Sequence, residues 1–525
     1  MRLALAQINA VVGDLEGNRE RILAAVAEAR TANADLVLLP ELAVTGYPPE
    51  DLLLRPAFVR AAEESTRAIA AACTGITALV GTPWSAGGAL ANACAVCCDG
   101  EIQALYRKRL LPNYGVFDEA RYFEPGPEAL VLQLGGLQVG LTICEDIWEP
   151  GPAADLAAGG AELLLNISAS PFHVGKAEDR ETMLAGRARD NGFPLAFCNL
   201  VGGQDELLFD GHSVVLDADG TVLARARGFE EHLLVVDLGT PGEIVPFEPE
   251  LEQMRLALGL ALRDYVGKNG FVDVVLGLSG GIDSALVAAL AADALEPDRV
   301  HCVSMPSRYS SAGTQDDARR LAENVGCDFR EIPIEEMVGA FHAAGVGTTG
   351  LAAENLQARV RGMTLMSLSN EHGWLVLATG NKSELSVGYS TLYGDLAGGY
   401  ALIKDVYKTD VFRLVRHLNE RAGRELIPVS IIERPPSAEL RPDQRDEDSL
   451  PPYEELDEVL EAYVELDRSR EELLADGFDP QTVERALALI DRAEYKRRQA
   501  PPGVKLRPKA FGRDRRTPIT NRWRG

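Results

Sequence analysis

The segment VVLGLSGGIDSALVAAL constrains this chain more than any other stretch. An apolar strand runs into Ser279-Gly280-Gly281-Ile282-Asp283-Ser284, and a helix begins directly behind it. The surrounding sequence continues the pattern. A helix over 254–268 leads in, and the helix over 284–295 is followed by the strand VHCVSMP, a further helix and DFREIPI. Strands alternating with helices predict βαβ units and a doubly wound parallel sheet. Glycines let a backbone approach phosphate closely, and the N–H groups of a helix start stabilise its charge. The run from Gly277 and Leu278 to Ser284 is therefore a candidate polyphosphate cradle. It is not the Walker pattern, because no lysine follows the glycines at the G-x-x-x-x-G-K spacing. Charge neutralisation must come from a metal, with Asp283 as a contact, or from distant cations.

The first 240 residues have a different rhythm. Short apolar runs (LALAQI, DLVLLP, ITALVG, GLQVGLTIC, AELLLNIS, PLAFCNL, HSVVLDADG) alternate with amphipathic stretches over 18–32 and 59–72, and two strands flank an Asp99-Gly100 hairpin turn. TPGEIVPFEPELE carries three prolines and no sustained period, which marks a linker. The expected organisation is a strand-rich α/β domain over 1–240, a linker over 241–253 and a second α/β domain over 254–525.

Composition excludes several partners. With 52 Lys and Arg against 79 Asp and Glu, the net charge of −27 opposes binding to nucleic acid and to anionic membranes. The N-terminus lacks the charge, apolar run and cleavage site of a signal peptide, and no stretch approaches the length of a membrane span. Eight cysteines in 525 residues are too few for a disulfide scaffold. A cytoplasmic protein is expected. Two stretches depart from the mean: 443–467 is acidic and reads as a solvated loop followed by a helix, while 496–525 holds eleven Lys or Arg against Asp514 alone.

Three segments of the first domain end a strand in a reactive side chain. DLVLLPELAVTGYPPEDL puts Glu41 just past a buried strand, where desolvation would make it a general base. YRKRLLPNYGVFDEARYF puts Lys108 before an aromatic-rich loop. GLTICEDIWEP puts Cys144 before a helix-like segment whose N–H groups would favour a thiolate. Trp148 either walls a pocket or packs the core, and His173 reads as a loop histidine. Cys94, Cys97 and Cys98 lack a nearby histidine or a second pair, and read as packing.

In that order and at those separations, the three segments resemble the Glu-Lys-Cys triad of the nitrilase superfamily of carbon-nitrogen hydrolases, whose fold is an αββα sandwich. The resemblance implies that Cys144 attacks a carboxamide, Glu41 takes its proton and later activates water, and Lys108 stabilises the oxyanion, with ammonia as the leaving group. It also implies that Tyr114, Ser170 and Lys176 hold glutamine and that Glu119 orients the lysine. SGGIDS resembles the pyrophosphate-binding loop of ATP pyrophosphatases, on a Rossmann-like sheet. LAAENLQARVRGMTLMSLSN, LVLATGNKSELSVGYSTLYGDLAGGYALIKDVYKTDVF and QRDEDSLPPYEELD narrow the resemblance to NAD synthetases. It then implies that Thr379 and Lys404 contact ATP beside the 277–284 loop, with Arg359 near its phosphates. Asp283 and Glu384 would bind Mg2+. Asn355, Asp395 and Lys509 would contact deamido-NAD, with Glu384 close to it, and the basic tail would serve bound phosphates.

A glutamine amidase joined to an ATP-using amide-forming domain implies that ammonia made at Cys144 is consumed at the second site. The resemblance further implies a homo-oligomer, an octamer being the size it suggests, with an ammonia channel. Two rivals remain at this stage. One is an ammonia-dependent synthetase with a degenerate first domain, against which all three triad residues are present. The other is a tRNA-modifying protein built on the same loop, which would need a wide basic face and paired cysteines.

Overall fold

The computed structural model describes residues 1–523. Contacts divide the chain into two compact units that meet in sequence at Glu250/Leu251.

In the first unit the strands are β1 (Arg2–Gln7), β2 (Leu36–Leu38), β3 (Thr77–Ala86), β4 (Ala89–Cys98), β5 (Glu101–Arg107), β6 (Val131–Leu134), β7 (Leu137–Ile143), β8 (Leu163–Ser168), β9 (Leu195–Asn199), β10 (Val201–Gln204), β11 (Leu207–Asp210), β12 (Val214–Leu216), β13 (Val222–Arg225) and β14 (His232–Asp237). Its helices are α1 (Leu15–Thr31), α2 (Pro56–Ala72), α3 (Glu145–Trp148), α4 (Pro150–Ala158) and α5 (Lys176–Asn191). Two six-stranded sheets form, in the orders β14-β1-β2-β3-β4-β5 and β13-β12-β9-β8-β7-β6. Leu3, Leu5, Leu36, Leu38 and Leu79 of the first sheet pack against Leu141, Ile143, Leu165, Ile167 and Cys198 of the second. The alternate residues of each sheet face helices. Ala4, Val37, Ala78 and Val80 meet Ile22, Val26 and Ile69 of α1 and α2, while Leu164, Leu195 and Phe197 meet Leu156 and Leu184 of α4 and α5. Strict alternation on doubly covered sheets gives an αββα sandwich. Cys94 faces the inner core and Cys97 the helix layer, so their spacing serves packing.

The proline-rich segment after β14 is not free. Gly242 N–H donates to Leu223 O at 2.8 Å, Arg225 N–H to Glu243 O at 2.8 Å and Val245 N–H to Arg225 O at 3.2 Å, so this stretch runs along β13. Phe247 lies under the Arg225 guanidinium at 4.0 Å and edge-on to His212. Helix α6 (Glu250–Lys268) starts directly after Pro249, four residues before the sequence pattern placed it. The proline ends the extended run, and Glu250 and Glu252 suit the positive end of a helix dipole.

The second unit continues with β15 (Val274–Gly277), α7 (Ile282–Leu295), β16 (Val300–Ser304), α8 (Ala312–Val325), β17 (Asp328–Glu331), α9 (Glu335–Ala343), α10 (Gly350–His372), β18 (Leu375–Ala378), α11 (Lys382–Val387), β19 (Tyr400–Ala401), α12 (Lys408–Ala422), α13 (Val429–Glu433), α14 (Tyr453–Leu460), α15 (Arg470–Ala475) and α16 (Pro480–Arg497). Its sheet runs β17-β16-β15-β18-β19, with every pairing parallel. Val275, Val303 and Val376 pack on α9 and α10. The connection from β15 goes to β16 on one side, and β18 lies on the other. The carboxyl end of β15 is therefore a topological switch point, where open α/β sheets bind ligands.

The acidic stretch is not solvated throughout. Asp446, Asp457 and Glu465 are buried. Asp457 accepts from Ser383 Oγ at 2.5 Å and from Thr409 N–H at 2.9 Å, while Glu465 accepts from Lys382 Nζ at 2.7 Å and Tyr407 OH at 2.9 Å. A buried carboxylate must be paired or hydrogen-bonded, and here the partners come from α11 and the start of α12.

Candidate active sites

In the first unit Lys108 is fully buried and sits between two carboxylates. Its Nζ donates to Glu41 Oε1 at 2.7 Å and to Glu119 Oε1 at 2.8 Å. Burial opposes the charged ammonium, but Glu119 and Glu41 outweigh it and hold Lys108 well above the usual lysine range. Glu41 leaves β2 through the tight turn 40–45. It is fixed by two further donors, Asn92 Nδ2 at 2.7 Å and the Ala169 N–H at 3.0 Å. That turn lies against β3 so closely that a Cβ on Gly81 would meet Pro40 O at 2.3 Å. Glu119 also accepts from Tyr47 OH at 3.1 Å, and burial followed by its acidic neighbour Glu41 pushes it up to about 7.

Cys144 follows β7 with φ 45° and ψ −101°, a strained conformation for a residue with a side chain. The turn is braced by Asp146. This carboxylate accepts from Ile143 N–H at 3.1 Å, from Leu110 N–H at 2.8 Å and from Tyr106 OH at 2.8 Å. It therefore ties the cysteine turn to the backbone just past Lys108. Burial pushes the thiol well above its ordinary range, Glu41 raises it further, and Lys108 only partly opposes them. This corrects the expectation of a thiolate favoured by helix N–H groups. Helix α3 is four residues long, too short for a substantial dipole. Burial favours the thiol form, and Glu41 is the carboxylate whose charge acts on it most strongly.

The remaining residues named for this site cluster around it. Lys176 sits 3.8 Å over the Trp148 ring, and burial, then Arg180, lowers its pKa. Of the two roles left open above for Trp148, core packing is the one observed, since its ring packs on the core beneath α4 and α5. Ser170 is buried, with its N–H donated to Asn199 Oδ1 at 2.9 Å. Tyr114 is exposed, and its hydroxyl donates to Glu145 at 2.9 Å. His173 Nδ1 bonds the Val174 carbonyl at 3.0 Å. Sequence reasoning missed Asn92, Tyr47 and Asp146. Only Asp146, an acid two places after the cysteine in an apolar run, left a signal in the sequence. A thiol, a buried carboxylate and a buried ammonium in one place form a set for covalent hydrolysis of an amide.

The second unit holds a cavity of ≈ 570 Å³ at the switch point. Gly277, Leu278, Ser279, Gly280, Gly281, Ile282, Asp283 and Ser284 line it, and so do Thr379 at the end of β18, Asn355 and Arg359 on α10, Glu384 on α11, and Asp395. The glycine turn is braced by its own serines. Gly281 N–H donates to Ser279 Oγ at 3.2 Å, and Ser284 Oγ to Gly281 O at 3.0 Å. Gly280 has φ +81°, and a Cβ there would meet Thr314 O at 2.2 Å.

Asp283 and Glu384 are drawn together by two residues the motif reading passed over. Asn381 Nδ2 donates to Asp283 Oδ1 at 2.8 Å while its own carbonyl oxygen caps α11 at Glu384 N–H, 2.9 Å. Lys408 Nζ lies 2.5 Å from Asp283 Oδ2 and 3.3 Å from Glu384 Oε1. Burial, and beyond it the like charges of Asp283, Asp446 and Asp395, raise Glu384 to about 8 although Lys408 opposes them. Burial likewise raises Asp395, whose Oδ1 accepts from Thr391 N–H at 2.7 Å.

Lys404 and Lys509 are not among the residues lining this cavity. Lys404 Nζ donates to Pro501 O at 2.9 Å beside a smaller neighbouring cavity, and Lys509 pairs with Asp467. The tail's charge is largely answered within its own unit, by Lys505–Asp514, Arg507–Asp410 and the pairs of Arg497 and Arg498 with Glu494. Lys496, which opens the basic stretch, does line the cavity. The acidic excess also enters the site, because Asp446 lines the cavity.

Comparison with known proteins agrees with this division. Residues 2–241 match the carbon-nitrogen hydrolase family and residues 256–500 the NAD synthase family. A glutamine-dependent NAD(+) synthetase of Thermotoga maritima is 47% identical over 100% of this chain and 99% of its own length. The protein of the same name from Xanthomonas campestris is 48% identical over 100% and 98%. Among solved structures, the glutamine-dependent NAD+ synthetase of Acinetobacter baumannii in complex with ADP superposes with a TM-score of 0.81 at 40% identity, over 99% of this chain and 98% of that one. With both sites assembled and relatives of this identity matched from end to end, the chain belongs to the family of glutamine-dependent NAD(+) synthetases.

Proposed function

We propose that this chain converts deamido-NAD to NAD, using ATP to activate the carboxylate and glutamine as the nitrogen donor, as the last step of NAD biosynthesis. The observation that carries the reading is the presence, in one chain, of a buried carboxylate, ammonium and thiol set and of a strand–SGGIDS–helix cavity.

At the first site Cys144 Sγ attacks the glutamine side-chain carbonyl carbon while Glu41 takes the thiol proton. Lys108 stabilises the oxyanion. The C–N bond breaks, the proton passes from Glu41 to the leaving ammonia, and water activated by Glu41 then frees glutamate from the thioester. Tyr114, Ser170 and Lys176 hold the substrate, and Glu119 orients Lys108.

At the second site ATP lies on residues 277–284 and Thr379, and the dinucleotide lies toward Asn355, Glu384 and Asp395. A nicotinate carboxylate oxygen attacks the α-phosphorus, pyrophosphate leaves, and ammonia displaces AMP from the acyl carbon. Asp283 and Glu384 suit Mg2+. Two carboxylates plus substrate phosphates are its usual donor set, and here Lys408 is the cation that already pairs with both carboxylates. When bound, the ion would supply charge neutralisation at the phosphates. Lys404 and Lys509 belong to this site only if they turn from Pro501 and Asp467 toward ligand. Ammonia passing through a channel, a cytoplasmic location and a homo-oligomer complete the proposal. Among the described residues, no helix is long and apolar enough to cross a membrane.

Incubation with deamido-NAD, ATP, Mg2+ and glutamine is expected to give NAD and AMP in equal amounts. ADP in place of AMP would sink the reading. With 15N-glutamine and unlabelled ammonium chloride, label is expected in NAD, and free competition by ammonium would refute channelling.

A further inference from the structure

A polyphosphate on the Ser279–Ser284 loop needs positive charge, and the loop contains none. The cationic side chains lining the cavity, among the described residues, are Arg359, Arg361, Lys408, Arg434 and Lys496. Most are directed to other acceptors. Arg359 Nε donates to Leu392 O at 3.2 Å, Arg361 Nε to Met305 O at 3.0 Å and Lys496 Nζ to Gly388 O at 2.7 Å, while Lys408 is held by Asp283 and Glu384. Arg434 differs. One of its terminal nitrogens donates to Gly280 O at 3.1 Å, so the guanidinium rests against the glycine turn itself.

Its position is fixed from behind. The other terminal nitrogen pairs with Asp317 of α8, a buried carboxylate that also accepts from Ser430 Oγ at 2.6 Å. Pro435 and Pro436 follow at once and line the same cavity, which restricts the backbone carrying the arginine. A guanidinium has five N–H donors in a planar fork, and these two contacts use two of them. The three that remain belong to a cation already placed beside the phosphate cradle, with its orientation set by an ion pair.

We propose that Arg434 is a catalytic residue that binds the pyrophosphate portion of ATP and its leaving group, doing for this loop what the lysine of a Walker loop does for that one. The inference rests on the proposed synthetase reaction for the identity of the polyphosphate. As the carboxylate oxygen bonds to the α-phosphorus, the bond from that phosphorus to the bridging oxygen breaks, and the electron pair stays with pyrophosphate. Arg434 donates to the oxygens on which that charge accumulates. No proton moves in this step and no further reactant is needed.

The test is binding of magnesium pyrophosphate, and separately of AMP, to the full chain by titration calorimetry, with the thermal transition followed as a check on folding. Replacing Arg434 with Met is expected to weaken pyrophosphate binding about thirtyfold and to leave AMP binding within about twofold, the loss of charge-assisted hydrogen bonds falling on one ligand only. Arg434→Lys is expected to recover about a third of that loss on a logarithmic scale, since it keeps the charge without the fork. Unchanged pyrophosphate binding in Arg434→Met would overturn the proposal. So would an equal loss for both ligands, which would mean that the arginine only shapes the loop. If Arg434→Met does not fold, Arg434→Lys decides, with undiminished pyrophosphate affinity counting against a bidentate contact. Normal pyrophosphate binding in a protein that makes no NAD would refute the synthetase reading and leave Arg434 in place.

Discussion

Cys144, the nucleophile of the proposed glutaminase reaction, sits where burial favours the thiol form. Its turn carries positive φ, it is buried, and its carboxylate neighbours, Glu41 first, oppose ionisation, so in the proposed reaction its reactivity depends on proton removal at the moment of attack. Cys144→Ala is expected to lower glutamine-driven NAD synthesis by about a thousandfold or more and to leave synthesis from ammonium salts intact. Loss of both, in a folded protein, would contradict the division of labour. Glu119 is the titrating member of this group near neutrality. Its folded pKa of about 7 lies above the 4.5 of an unfolded glutamate, so its contribution to stability is complete below about pH 4.5 and is lost as pH rises to about 7. The first unit should therefore melt at progressively lower temperature between about pH 4.5 and pH 7, and Glu119→Gln should flatten that slope. Identical slopes in thermal scans would show that another group is responsible.

Two glycines carry the site-bearing turns, and they fail for different reasons. Gly81 sits in β3 under the Glu41 turn, where added volume meets backbone only. Gly81→Ala is expected to cost the first unit about 2–4 kcal/mol and most of its glutamine hydrolysis, measured by denaturant unfolding and glutamate release. Gly280 is both left-handed and pressed against Thr314 O. Gly280→Ala should abolish ATP-dependent synthesis while hydrolysis of glutamine persists, and survival of synthesis would mean that the turn tolerates rearrangement. At this scale the sequence was most informative where a motif coincided with a strand end. Glu41, Lys108, Cys144 and the 277–284 loop all lie at the ends or starts of elements that periodicity had already outlined. Three kinds of information were hidden. The brace Asn92, and the tie of Asp146 to Leu110 and Tyr106, act through contacts distant along the chain, which no local spacing encodes. The acid-rich 443–467 stretch reads as solvated by composition alone, yet Asp457 and Glu465 meet hydroxyls and a lysine supplied by α11 and the start of α12. Lys404 and Lys509 were placed by resemblance, and their charges lie against Pro501 O and Asp467.

Among the described residues, apolar clusters built from β1–β14 and α1–α5 form cores in the first unit, and clusters built from the β15, β16 and β18 strands and helices α9 to α16 form cores in the second. Separate cores predict separate cooperative transitions. Calorimetry is expected to resolve two, and ATP at about a hundred times its Kd should stabilise only one of them, by about 2.7 kcal/mol. A single transition shifted as a whole by ATP would refute this. The −27 net charge bears on partners. The stretch after β14 also bears on how the protein can be divided. It reads as a connector, but through Val245 it hydrogen-bonds along β13, and Phe247 covers His212 and Arg225. A first unit ended at residue 240 would bare the outer edge of one sheet and uncover a buried imidazole. One ended at Pro249 would keep both, so the natural seam for separating the two activities lies just before α6.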